Sequence, residues 1–293
     1  MPEGKIVKAL SGFYYVYRDG VLIQCRGRGV FRKNKITPLV GDNVIFQAEN
    51  ETDGYVLEIK ERKNELVRPP IANVDQSILV FSATEPGFST TLLDRFLVLV
   101  EFNHIQPLIC ITKMDLLNED EKQKIEQYAT EYKSAGYDVI LTSSEKDVGL
   151  ELLKPHLQNK ISVFAGQSGV GKSSLLNALR PGLELKTNDI SSHLGRGKHT
   201  TRHVELIEIG NGLVADTPGF SSLEFLEIDP EQLTFCFPDL EKASENCKFR
   251  GCLHVKEPKC GVKDAVENGI LPKYRYEHYL DFLQEIKERK PRY

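Results

Sequence analysis

Ile161-Ser162-Val163-Phe164-Ala165-Gly166-Gln167-Ser168-Gly169-Val170-Gly171-Lys172-Ser173-Ser174 is the stretch on which the fold turns. Five apolar-rich residues predict a strand buried on both faces, and the helical pattern of Ser174–Leu179 follows at once. Between them Gly166–Ser173 fits G-x-x-x-x-G-K-[ST], the phosphate-binding P-loop. Its glycines let successive backbone N–H groups curl around phosphate oxygens at a helix N-terminus, where the helix dipole favours negative charge. Gly166, Gln167, Ser168, Gly169, Val170, Gly171 and Ser174 are therefore expected to line the phosphates. Lys172 is expected to reach the β- and γ-phosphates, and the Ser173 hydroxyl to ligate Mg²⁺.

Working outward, further strand-end motifs fit the same ligand. Thr112-Lys113-Met114-Asp115 follows the apolar run Pro107–Ile111 and resembles the [N/T]-K-x-D signature of GTPases. In that reading Asp115 accepts from guanine N1–H and the exocyclic amine, and the Lys113 stem lies over the base. Adenine lacks the donor pair and would leave a buried carboxylate unpaired, which is a strong basis for rejection. Thr142-Ser143-Ser144, after the run Val139–Leu141, resembles the loop that touches guanine O6, with Ser143 as its contact. Asp216-Thr217-Pro218-Gly219, after Leu213–Ala215, reads as D-x-x-G, with Asp216 near Mg²⁺ and the Gly219 N–H sensing the γ-phosphate. The basic loop Gly195–Arg202 stands where switch I belongs; Thr200 or Thr201 is its candidate Mg²⁺ ligand, with Thr201 favoured.

The order of these motifs is permuted. Base recognition at 112–115 and 142–144 precedes phosphate binding at 166–173 and 200–219, the reverse of ordinary small GTPases. A parallel sheet tolerates this, because its site is built at the C-terminal ends of the strands in whatever order they are joined. The catalytic set is Lys172, Ser173, Thr201 and His199, the last offered with His203 as a group able to orient water. Phe220, after D-x-x-G, stands where Ras-like enzymes carry a water-orienting glutamine, and slow intrinsic hydrolysis is expected.

The remaining sequence divides by texture. Residues 1–65 read as five short strands, Lys5–Leu10, Phe13–Tyr17, Val21–Cys25, Val44–Ala48 and Tyr55–Ile59, which suits a small OB-fold barrel. Residues 66–222 alternate apolar strands with the helical stretches Thr91–Phe102 and Glu119–Ala135, a mostly parallel α/β sheet carrying the P-loop. Residues 223–293 turn helical and polar, with a last helix near Lys273–Lys290. The net charge of −4 is uneven, with mildly basic ends flanking an acidic centre. Residues 20–41 contain no acid while Arg26, Arg28, Arg32, Lys33 and Lys35 crowd ten positions, a pattern that suits a phosphate backbone or a solvated strand edge. The absence of a secretory leader, of any 18-residue apolar run and of a lipidation motif predicts a cytoplasmic protein away from membranes.

Cys247-x4-Cys252-x-His254-x5-Cys260 gathers three thiolates and an imidazole within 14 residues, a closed ligand set suited to one structural Zn²⁺. Cys25, Cys110 and Cys236 lie in or beside apolar runs and are expected in cores.

With these motifs the chain resembles, over essentially its whole length, the circularly permuted GTPases of the ribosome small-subunit-dependent GTPase A (RsgA) type. The resemblance implies an OB-fold, a permuted GTPase domain and a zinc domain acting in late maturation of the small ribosomal subunit. GTP/GDP, Mg²⁺ and one Zn²⁺ would be the cofactors, the subunit and its rRNA the partners, and the protein a monomer. Without the resemblance, a GTPase acting on another RNA and an RNA-binding module that only senses nucleotide remain alternatives.

Overall fold

In the computed structural model the described residues are 1–67, 69–143, 149–180, 204–215 and 223–289. The N-terminal strands β1 (Glu3–Leu10), β2 (Phe13–Arg18), β3 (Val21–Gly27), β4 (Asn43–Ala48) and β5 (Gly54–Ile59) close into a barrel of order β1-β2-β3-β5-β4. Pairing of Lys5 with Asn43 between β1 and β4 shuts it, and β3 runs parallel to β5. Ile6, Val16, Cys25, Val44, Phe46 and Val56 fill the interior from alternate positions, all essentially inaccessible. Between β3 and β4 the acid-free stretch includes a short helix, α1 (Gly29–Lys33).

A hairpin of β6 (Glu65–Val67) and β7 (Pro70–Ala72) leads to the central sheet. Its strands are β8 (Gln76–Ser82), β9 (Gln106–Thr112), β10 (Asp138–Leu141), β11 (Ile161–Ala165), β12 (Leu206–Ile209) and β13 (Gly212–Ala215), in the order β10-β9-β8-β11-β13-β12. All pairs are parallel except the edge hairpin β12–β13. The period of two assigns the faces. Leu79, Phe81, Ile109, Ile111, Val163 and Ala165 pack under helices α2 (Thr90–Phe102) and α3 (Glu119–Ser134). Ile78, Val80, Leu108, Cys110 and Phe164 pack under α4 (Leu150–Leu157) and α5 (Lys172–Leu179) on the other side. The strand carrying the phosphate loop, β11, thus lies inside the sheet although it is the fourth of these strands in the chain, which is the physical content of the permutation.

The last unit is built from a 3-10 turn (Leu233–Cys236) and helices α6 (Pro238–Ser244), α7 (Gly261–Glu267) and α8 (Lys273–Glu288). Its core of Phe225, Leu233, Phe237, Leu240, Tyr279, Phe282, Leu283 and Ile286 also takes Val98 and Leu99 from α2, so α2 is shared between two cores. Tyr279 and Phe282, three positions apart on one face of α8, are buried here. Across this seam Arg275 is fully buried and pairs bidentately with Asp239 at 2.6 and 2.7 Å and with buried Asp94 on α2. Asp94 also accepts from Tyr132 at 3.0 Å and pairs with His278 Nδ1 at 2.7 Å. Removing one partner from such a buried pair costs roughly 3–5 kcal/mol, since it strands the other charge. At the opposite end of the sheet, Lys8 of β1 bridges to Glu205 and pairs with its carboxylate at 2.8 Å. A register shift between Ile6 and Lys8 in the β1–β2 ladder falls at this point.

Candidate nucleotide and metal sites

The site is assembled where β11, β8, β9 and β10 end together. Gly166 leaves β11 at φ +140°, and a Cβ there would stand 2.1 Å from the Val80 carbonyl oxygen, so no other residue fits. Gly171, at φ +92°, caps α5, whose first residues are Lys172 and Ser173. Gln167, Ser168 and Gly169 are exposed while Val170 is anchored in the core beneath them. Lys172 is buried and donates from Nζ to the carbonyls of Gly166, at 2.9 Å, and Gln167. Desolvation pulls its pKa down to about 8. Ser173 is buried beside it, and Ser174 is half-buried on the next turn position.

The Thr112–Asp115 segment meets this loop through a contact that the sequence did not signal. The Thr112 hydroxyl, at the end of β9, donates to the Val170 carbonyl at 2.6 Å. The first residue of Thr112–Asp115 therefore braces the phosphate loop, 58 positions away in sequence. Lys113 takes a left-handed φ of +62° and donates from Nζ to the Glu85 carbonyl, tying the loop after β8 to the same place. Met114, Asp115 and Leu116 form one 3-10 turn, with Asp115 half-buried. The turn is hung from the neighbouring strand end: Met114 N–H donates to the Thr142 carbonyl at 3.3 Å, and Thr142 N–H to that of Ile111 at 2.7 Å. Ser143, directly after, is buried. Thr112, Lys113, Met114, Asp115 and Ser143 thus share one rim with Gly166–Ser174. Ser144, His199, Thr200, Thr201, His203, Asp216, Gly219 and Phe220 lie outside the described residues.

In the C-terminal unit Cys247, Cys252, His254 and Cys260 bring their ligand atoms within 4.8 Å of one another. Cys247 Sγ and Cys260 Sγ stand 3.9 Å apart, and His254 Nδ1 lies 3.6 and 3.3 Å from them. Zinc bonds of about 2.3 Å to sulfur and 2.0 Å to nitrogen give tetrahedral edges of about 3.8 and 3.5 Å, so the set fits that metal. A disulfide needs sulfurs at about 2.05 Å and is excluded at this spacing. Zinc held here would have four protein ligands and no open position, which makes it structural. The turn between the ligands is fixed independently: Glu257 accepts from the N–H groups of Leu253, Val255 and Lys256 at 2.8–3.0 Å. Burial works against the Glu257 carboxylate, yet these bonds prevail and hold its pKa below the ordinary value. Tyr276 and Tyr279 of α8 donate to the carbonyls of His254 and Leu253 at 2.6 and 3.2 Å, binding the ligand loop to the helix.

Comparison with known proteins agrees with this arrangement. The RsgA GTPase family model matches residues 59–226, and the RsgA N-terminal domain model matches 3–56. Curated relatives named small ribosomal subunit biogenesis GTPase RsgA, from Bacillus cereus and Bacillus subtilis, are 69% and 67% identical, each alignment covering 100% of both chains. Among solved structures, YloQ, described as a circularly permuted GTPase, superposes with a TM-score of 0.88 at 62% identity, covering 100% of this chain and 97% of that one. YjeQ from Thermotoga maritima gives the same TM-score at 40% identity, covering 98% and 99%. The family model spans more than half of the chain and the relatives align along its full length, so the chain belongs to the RsgA family of circularly permuted GTPases and is a GTP hydrolase.

Proposed function

We propose that this GTPase acts in late maturation of the small ribosomal subunit, binding the subunit through its two flanking domains and hydrolysing GTP faster when bound. The observation that carries the reading is the close identity, over the full length, to relatives named for small-subunit biogenesis. On this reading residues 1–65 form an rRNA-binding OB domain, 66–222 the permuted GTPase and 223–293 a zinc-binding helical domain. Exposed Arg26, Arg28, Lys33 and Lys35 supply the barrel with a positive edge, with the Arg26 guanidinium 5.3 Å from the Phe13 ring centroid. Lys248, exposed Phe249 and Arg250 give the metal loop a basic and aromatic tip able to meet phosphate and base.

The nucleotide assignments follow the same reading. Asp115 selects guanine; Gly166–Ser174 hold the phosphates; Ser173, Thr201 and Asp216 hold Mg²⁺; His199 orients water once switch I is ordered. Zn²⁺ on Cys247, Cys252, His254 and Cys260 holds the C-terminal unit in shape. Co-sedimentation tests the partner: with a non-hydrolysable GTP analogue the protein should pellet with isolated small subunits at physiological salt, and far less with GDP. Equal retention by large subunits or by tRNA would show that the partner is another RNA.

A further inference from the structure

Arg95 follows Asp94 on α2 and reaches toward the C-terminal unit. Its Nη1 donates to the Leu223 carbonyl at 3.0 Å and to Glu285 Oε1 at 2.9 Å, while Nη2 pairs with Glu285 Oε2. The guanidinium packs against both Phe225 and Phe282, 4.6 and 4.8 Å from ring centroids that are themselves 5.1 Å apart. Glu285 and Phe282 belong to α8; Leu223 and Phe225 belong to the chain entering the C-terminal unit. Leu223 is also the fourth residue after Gly219 of D-x-x-G. On the other side Ala215, one residue before Asp216, is fixed in β13 opposite Leu206. Ala215 and Leu223, the described residues that bound 216–222, are therefore held by the sheet and, through Arg95, beside α8. One planar fork serves a carboxylate, a backbone carbonyl and two rings together, and no other side chain can do all of this.

We infer that Arg95 is a positioning residue for GTP hydrolysis, holding the chain that leaves Asp216–Gly219 against the C-terminal helix, so that the placement of that helix sets the placement of the γ-phosphate-sensing segment. The inference rests on the reading of Asp216–Gly219 as D-x-x-G. It makes α2 a two-point coupling element: Asp94 grips Arg275 and His278, and Arg95 grips Glu285 and Leu223. GDP lacks the γ-phosphate, so its binding should not feel this contact.

The test uses the full chain, with Arg95→Ala, Arg95→Lys, Glu285→Gln and Asp216→Asn compared in steady-state hydrolysis, fluorescent-GDP binding and thermal melting. Arg95→Ala should lower kcat by roughly three- to thirtyfold, the range of a coupling of about 0.5–2 kcal/mol, with KM and GDP affinity held within about twofold. Arg95→Lys should not restore the rate, because an ammonium cannot serve Glu285 and Leu223 in the same geometry. Glu285→Gln, which keeps the shape, should show a smaller loss of the same kind and decides the matter if Arg95→Ala does not fold. Unchanged kcat in Arg95→Ala alongside loss of hydrolysis in Asp216→Asn overturns the inference while sparing the D-x-x-G reading. Loss of kcat, GDP affinity and melting temperature together overturns it too, as the mark of a general fold defect. Normal hydrolysis by Asp216→Asn removes the reading on which it stands.

Discussion

Lys172 shows how a single residue can be read from sequence for its chemistry but not for its energetics. Motif spacing assigns it to phosphate, whereas only the fold shows it buried against two loop carbonyls with its pKa pulled down to about 8. The folded pKa lies below the unfolded value of 10.5, so between these limits the unfolded chain holds the extra proton. This burial therefore costs stability below about pH 8, and the cost is relieved as pH rises toward 10.5. Nucleotide phosphates should favour the charged ammonium again. At about pH 8.5, where phosphates with a second pKa near 6 are fully ionised, GDP binding should take up protons. Calorimetry in buffers of different ionisation enthalpy measures this, and a buffer-independent heat would contradict it. Asp115, half-buried on its 3-10 turn, carries a sharper expectation. Asp115→Asn should shift preference from GTP to xanthosine triphosphate, because the amide donates where xanthine presents a carbonyl. Equal wild-type affinity for ATP and GTP in a competition assay would refute the assignment.

Among the elements, long strands with strong patterns were legible and short or shared ones were not. Every barrel strand and β9, β10, β11 and β13 appear within a few residues of the reading, since their apolar alternation or continuity is set by burial. Edge strand β12, only four residues long and half-exposed in the middle, carries no such pattern and was missed. So were α6 and α7, each seven residues, which are held by the Cys/His turn and the core around Tyr279 rather than by periodicity. The Thr112–Val170 brace and the Arg95 clamp were unreadable for another reason: each joins residues far apart in sequence through one geometry. The Cys/His cluster was legible because its spacing is local. Chelation should release one zinc per chain and loosen residues 247–260 first, while α8 keeps its packing through Phe282, Leu283 and Ile286. Hydrogen exchange with elemental analysis tests this, and metal-free protein with full protection at 247–260 would contradict it.

Over the whole molecule, the permutation decides what the flanking units can touch. On the proposed reading the chain opens after the D-x-x-G strand β13, and the next described residues, from Leu223, belong to the C-terminal unit, whose core shares α2 with the GTPase sheet. At the other edge Lys8 of the barrel pairs with Glu205, the second described residue after the switch I loop. On the proposed reading the described residues that follow the two switch segments, Glu205 and Leu223, touch different flanking units, and a partner that grips both units can act on both switches. The isolated protein has Phe220 where a water-orienting glutamine would stand, so it should turn over slowly by itself. The most direct measurement is the single-turnover rate of GTP hydrolysis with and without saturating small ribosomal subunits. A subunit-dependent acceleration of at least about tenfold, lost in His199→Ala without matching loss of GTP affinity, is the predicted result. Rapid hydrolysis by the protein alone, unchanged by subunits, would contradict it.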